Sequence, residues 1–347
     1  MNFRCHANNA SSCHNQTARG AEQMKFYTMM LHVIGISVLL ITAASAETEK
    51  ITIAGGTGAF MGPLHIAYVK GYFKAEGLDV AMQAYASGKA AVDAMVEGKA
   101  ELATSAETRI MFAGLRGEKI YVIATLHKTE NMAVIARKDR GIAKPQDLKG
   151  KRLGVTANTN ADFFLDTFLL FHGLSRTETE ILNLKPDELS EALSTNRVDA
   201  VSVWQPYVIR IQKTMREKGT TFQMKGVYRE HYILSGMQEF IVKNPETVKR
   251  LLRALVKAER FIREKPDESL QLMADYNRID KELLSEIWDA YRFSITLDQP
   301  LLISLEDEAR WAIKNRLTDK TKAPNYLNLL YLDGLKAVKP EGVTVIH

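Results

Sequence analysis

Four short segments carry the side chains that could do chemistry. The first is the glycine-rich run Gly55-Gly56-Thr57-Gly58-Ala59-Phe60-Met61-Gly62. A loop of this kind, between a strand and a helix, can cradle a phosphate on backbone N–H groups. Its spacing here is G-x-G-x-x-x-G with Pro63 directly behind it. Asp79, at about the distance of a ribose contact, precedes its strand where that contact needs an acid at the strand's end. A backbone approach to some other small ligand therefore fits better than a nucleotide, and no cofactor is expected.

The second and third segments are Thr104-Ser105-Ala106-Glu107 and Thr159-Asn160-Ala161-Asp162. Both have the form of a capping box, with a threonine at the N-cap and an acid three residues on. One reading is that they only satisfy the first N–H groups of a helix. The other is that Ser105, Asn158, Thr159 and Asn160 touch a ligand, since α/β sheets bind ligands where strands end and helices begin. Asp162 is assigned to capping. Glu107 is harder to place, because a carboxylate beside a ligand disfavours a purely anionic one. The fourth segment is Trp204-Gln205-Pro206-Tyr207. Trp204 ends an apolar strand that Pro206 stops, which favours a cleft position over the core. Trp288 and Trp311 fall in helical patterns and are expected in the core.

Catalytic patterns are missing from the sequence. It holds no G-x-S-x-G, no H-E-x-x-H and no pair of histidines at metal-ligand spacing. His65, His127, His172 and His231 stand apart from one another and read as structural or surface residues.

The start of the chain has its own logic. From Met24, Lys25 supplies a positive charge, Phe26 to Ile41 an apolar run, and Ala44-Ser45-Ala46 an A-x-A cleavage site. That order is a secretory signal, and 16 residues are too few for a membrane-spanning helix. Residues 1–23 are polar and unpatterned and read as a start codon assigned too early, so 24–46 is the expected signal, cleaved after Ala46. Both cysteines, Cys5 and Cys13, precede that point. The mature chain then has no disulfide, thiol nucleophile or cysteine metal site. No lipid-bearing cysteine follows the apolar run, which suits a periplasmic location. Arg4, Arg19 and Lys25 against Glu22 lower the net charge from +5 to +3, a slight surplus that does not call for nucleic acid.

Residues 47–347 suit two lobes better than one. Strands and helices alternate through Ile51–Ala54, a helix from Pro63 to about Ala75, Leu78–Tyr85, Ala90–Glu97, Glu101–Ser105, a helix through Ile110 and Leu115, and Tyr121–Leu126. The pattern restarts with Met132–Arg137, Arg152–Thr156, Ala161–His172, Glu180–Leu184, Pro186–Thr195 and Val198–Trp204. Such alternation predicts parallel-rich sheets flanked by helices. From Asn244 and Pro245 the chain turns helical, with Val248, Leu251, Leu252, Leu255 and Val256 on one face. It is expected to return to the first unit. The expected lobes are 47–131 with 232–347, and 132–231, with backbone motion near Thr129–Met132 and Gln223–Ser235.

Several stretches resemble the solute-binding proteins of nitrate, sulfonate, taurine and thiamine-pyrimidine ABC importers. They are HIAYVKGYFKAEGL from His65, GKAELA from Gly98, GIAKPQDLKGKRLG from Gly141, VDAVSVWQPY from Val198 and the Asn244-Pro245-Glu246 helix start. Asn196-Arg197 stands where the family usually has Gly before Val-Asp-Ala, and Asn tolerates the left-handed turn. The resemblance implies an α/β fold of the two-lobed periplasmic binding protein (type II) kind with a two-strand hinge. It also implies a monomer, a small solute in the cleft, and an ABC permease with its ATPase as partners. Carried over by position, the contacts would be Thr57, Phe60, Ser105, Glu107, Thr108, Asn158, Thr159, Asn160, Trp204 and Gln205. Two alternatives remain. One is an enzyme making the thiamine pyrimidine on the same fold, whose relatives use a cysteine-rich iron motif absent here. The other is a sensor module for a membrane receptor.

Overall fold

The computed structural model describes residues 48–56 and 61–346. The proposed signal segment and the loop residues Thr57 and Phe60 thus lie outside the described residues.

Two mixed sheets form the frame. Strands β1 (Glu49–Gly56), β2 (Leu78–Tyr85), β3 (Leu102–Ala106) and β4 (Ile120–Thr129) belong to the larger sheet. So do β10 (Glu230–Met237), β11 (Tyr291–Asp298) and β12 (Val343–Thr344), in the order β12-β11-β4-β10-β3-β1-β2. The smaller sheet holds β5 (Met132–Arg137), β6 (Arg152–Val155), β7 (Glu180–Asn183), β8 (Ala200–Trp204) and β9 (Gly219–Phe222), in the order β7-β6-β8-β5-β9. The chain passes from one sheet to the other twice, at residues 130–131 and 223–229.

Before the first crossing the larger sheet carries helices α1 (Pro63–Val69), α2 (Tyr72–Ala75), α3 (Gly88–Val96) and α4 (Glu107–Arg116). The smaller sheet carries α5 (Asn160–Phe171), α6 (Glu188–Ser194) and α7 (Tyr207–Met215). After the second crossing come α8 (Gln238–Lys243), α9 (Pro245–Glu264), α10 (Pro266–Asn277), α11 (Lys281–Trp288), α12 (Gln299–Lys314) and α13 (Leu332–Val338). Among the described residues no helix is long and apolar enough to cross a membrane.

Sequence pattern explains most of this. In β5, Met132, Val134 and Ala136 pack on one face of the smaller sheet, while Ala133 and Ile135 pack on the other. A strand buried on both faces reads as the continuous apolar run seen there. Helix α9 opens on Pro245, whose missing N–H costs nothing at the first turn, and buries Val248, Leu251, Leu252 and Leu255. It lies against α1, α2 and α13, so the C-terminal helices do return to the first unit.

Three local expectations differ from the structure. The helix from Pro63 is broken in two, because Gly71 takes φ 68° and the left-handed backbone ends the first helix. The sheets are mixed beyond simple βαβ alternation, since β10 inserts between β3 and β4, antiparallel to both. Thr104 is not an N-cap: β3 runs on to Ala106, so Glu107 is the first helical residue and caps nothing. The second box holds in part. Thr159 is the N-cap of α5, but its hydroxyl donates to Thr156 O at 2.7 Å, and Asp162 accepts from the Asn158 N–H at 2.9 Å.

Candidate functional site

A cleft opens between the two sheets, concave and lined from both sides, as small-molecule sites are. From the smaller sheet's side come Asn158, Thr159 and Asn160 at the start of α5, with Trp204 and Gln205 at the end of β8. From the larger come Ser87, Gly88 and Lys89 at the start of α3, Arg109 of α4, His127 of β4, Glu230 and Tyr232 of β10, and Tyr291 of β11. Asn131 lines it from the first crossing.

Each wall is held by local structure. Asn158 sits at φ 59°, a left-handed backbone that asparagine tolerates, and this aims the chain into the N-terminus of α5. Trp204 stands edge-on to Tyr207, ring centroids 5.8 Å apart. Gln205 N–H donates to Asn131 O at 3.2 Å, which ties the end of β8 to the crossing, while its side-chain oxygen accepts from Ile209 N–H at 3.4 Å. Ser87 caps α3 by accepting from Ala90 N–H at 3.2 Å. Gly88 is obligatory there, because a Cβ would come within 2.7 Å of Ser105 Cα.

The rings on the larger side form one cluster. His127 lies parallel to Tyr232 at 5.0 Å and edge-on to Tyr291 at 5.2 Å. Burial pushes the His127 imidazole down to about 3, so it is neutral at physiological pH, and its Nδ1 has no hydrogen-bond partner. Tyr232 shares a hydroxyl–hydroxyl bond of 3.3 Å with Thr104, and Tyr291 accepts from Asn131 Nδ2 at 3.3 Å.

Charge on the cavity wall is unevenly settled. Arg109 pairs with Asp93 at 2.8 Å and Glu118 at 3.0 Å, and Lys89 pairs with Asp93 at 2.8 Å. Glu230 accepts from Asn160 Nδ2, which links β10 to the smaller sheet's α5. Burial and the neighbouring Glu107 raise the Glu230 carboxyl to about 8.

The sequence-derived residues divide. Asn158, Thr159, Asn160, Trp204 and Gln205 come together on the cavity. Ser105, Glu107 and Thr108 do not line it. Ser105 is sealed beneath Gly88, its hydroxyl without a partner. Glu107 accepts from Tyr228 O–H at 3.0 Å and from His231 N–H at 3.0 Å, and Thr108 donates to Glu308 at 2.5 Å. These groups form a fully buried layer behind the cavity wall. The sequence reading missed Glu230, Tyr232, Tyr291 and Asn131, and it took His127 as merely structural. Among the described residues no group of three or more His, Cys, Asp or Glu side chains could hold a metal ion.

A family model described as NMT1/THI5 like matches residues 60–269, from the glycine-rich loop through the whole smaller sheet into α10. The chain belongs to the NMT1/THI5-like family. The taurine-binding periplasmic protein of Escherichia coli is 25% identical over 236 residues, covering 67% of this chain and 72% of that protein. A Haemophilus influenzae protein named for thiamine biosynthesis is 26% identical over 263 residues, covering 72% of this chain and 81% of its own. The alkanesulfonate-binding protein of Xanthomonas axonopodis pv. citri, solved with MOPS bound, superposes with a TM-score of 0.71 at 16% identity, covering 83% of this chain and 99% of that one. The periplasmic nitrate-binding protein of Synechocystis gives 0.67 at 14%, covering 85% and 89%. At such identities these structures establish the fold, the two-lobed type II periplasmic binding protein.

Proposed function

We propose that this protein is an extracytoplasmic solute-binding protein that captures a small solute between its lobes and delivers it to the permease and ATPase of an ABC importer. One observation carries the reading: residues from both sheets close on a single cavity beside the two crossings. Bending at those crossings would open and shut it, as hinge closure does around ligands. The lobes in this reading are 47–131 with 232–347, and 132–231. The chain works as a monomer and is exported to the periplasm with cleavage after Ala46. Family membership and the taurine-binding relative support the assignment.

Catalysis is not part of this reading. The relative named for thiamine biosynthesis keeps an enzymatic alternative in view. A thermal-shift screen of sulfonates, nitrate, pyrimidines and amines, followed by mass spectrometry of the stabilising solute, tests both. A stabilised protein and an unchanged solute are expected. Chemical conversion of the solute would favour the enzyme, and no stabilisation by any of them would count against the binding reading.

A further inference from the structure

We infer that the solute carries a protonated nitrogen and that Glu230 is the residue that selects it. This rests on the solute-binding reading above and specifies it.

The charge pattern of the cavity leads there. Its two wall cations are already committed, Arg109 to Asp93 and Glu118 and Lys89 to Asp93. Glu230 is in the opposite condition. It is 3% exposed, and among the described residues no Lys or Arg pairs with it, with Glu107 or with Glu308. The undescribed loop 57–60 (TGAF) has no charged side chain to offer. A buried carboxylate without a counter-charge is costly, and a ligand cation would supply one.

The remaining lining agrees. Asn131 Oδ1 is buried without a partner, while its Nδ2 donates to the Tyr291 hydroxyl, so a lining residue keeps an unused acceptor. Neutral His127 has a ring nitrogen, Nδ1, likewise buried without a partner. The Tyr232, Tyr291 and Trp204 rings line the same space, and ring faces attract an ammonium or amidinium group. The N-termini of α3 and α5 also reach the cavity and would hold an anionic end if the solute has one. A monocationic amine and a zwitterion thus share the nitrogen, and the probes below separate them.

A proton balance follows. Around Glu230 are Glu107 of α4, Glu308 of α12, Tyr228 of the second crossing, Tyr291 of β11 and Asn160 of α5, with His127 on the neighbouring strand β4 and His231 of β10 beside Glu107. Burial and Glu107 favour the protonated carboxyl at neutral pH while no cation pairs with it. An arriving ammonium converts the carboxylic acid to a carboxylate paired with the ammonium, and the acid's proton leaves to solvent.

The test uses matched probes on the purified protein at pH 7: taurine against ethanesulfonate, benzylamine against benzyl alcohol, and nitrate alone. At least one amine should bind ten-fold or more tighter than its amine-free partner. Taurine alone indicates a zwitterion, and benzylamine a monocation. Calorimetry in buffers of different ionisation enthalpy should show on the order of one proton released. Glu230→Gln, an isosteric neutral change, should abolish the preference and the proton release while the far-UV circular dichroism stays the same. Equal binding of the amine-free partners, no binding by either amine, or unchanged amine binding by Glu230→Gln would overturn the inference. If ethanesulfonate or nitrate binds as tightly as the better amine, the inference falls while the solute-binding reading stands. If no probe binds, both lose their support.

Discussion

The indole N–H of Trp311, in α12, donates to a carboxylate oxygen of Asp166, in α5, at 2.7 Å. This bond joins a helix packed on the larger sheet to one packed on the smaller, and Phe163 meets the same indole edge-on at 5.4 Å. Asp166 is also held by Arg176 at 2.8 Å. Trp311 is therefore buried, as its helical pattern indicates, yet it sits on a boundary between lobes.

Its fluorescence should report lobe motion alongside that of Trp204. Trp311→Phe should remove part of the solute-induced signal and cost about 1.5–3 kcal/mol in urea unfolding, the usual worth of a bond to a charged group. Trp288, packed on Phe293 at 5.1 Å within the larger lobe, should leave the signal unchanged when replaced by Phe. A full signal in Trp311→Phe would show that this contact does not change on closure.

Asn158 should accept glycine and reject β-branched residues. At φ 59° Asn158→Gly keeps stability within a few tenths of a kcal/mol, whereas Asn158→Val costs roughly 1–2 kcal/mol and weakens solute binding. Paired urea melts and titrations of the two variants check this. Equal behaviour of the variants would mean that the turn relaxes without the left-handed backbone.

Gly88→Ala should be destabilising by about 1–3 kcal/mol, as overpacking generally is. The added Cβ meets the Ser105 backbone at 2.7 Å, and backbone cannot rotate away. Helix α3 would have to lift, withdrawing Ser87 and Lys89 from the cavity. Thermal melts with and without solute separate the stability loss from the binding loss.

Stability should also depend on pH in two opposite ways. Folding raises the Glu230 carboxyl from 4.5 to about 8, so the folded state keeps a proton that the unfolded chain releases. That contribution is present below pH 4.5 and lost as pH rises toward 8, at about 1.4 kcal/mol per unit. His65 and His127 are lowered by burial from 6.5 to about 3, so the unfolded chain binds protons that the folded one refuses. Their contribution is present above pH 6.5 and lost as pH falls toward 3. Denaturant melts from pH 4 to 9 should show Glu230→Gln flattening the alkaline decline and His127→Gln easing the acid one. Unchanged slopes in both would contradict the burial argument.

Local pattern made much of the frame readable. The apolar runs of β5 and β8, the Asn244-Pro245 helix start and the strand-to-helix turn at Asn158–Asn160 all declare themselves within a few residues. The misreadings share a cause, which is long-range pairing. Thr104 to Glu107 has the letters of a capping box, but β3 is stretched past Thr104 by pairing with β10, where Tyr232 lies opposite Ala106. Glu230 was invisible for the same reason. Its position on the cavity depends on a strand returning from more than 100 residues away to pair Glu230 with Thr129. Nothing in the neighbouring sequence encodes that return.

Capture of a solute between the sheets can be read by isothermal titration calorimetry with the solute that most stabilises the protein, on wild type and on Asn160→Ala and Trp204→Ala. Wild type should bind saturably, one to one. Both variants should lose ten-fold or more in affinity with their circular dichroism unchanged. Wild-type affinity in both folded variants would place the solute outside this cleft.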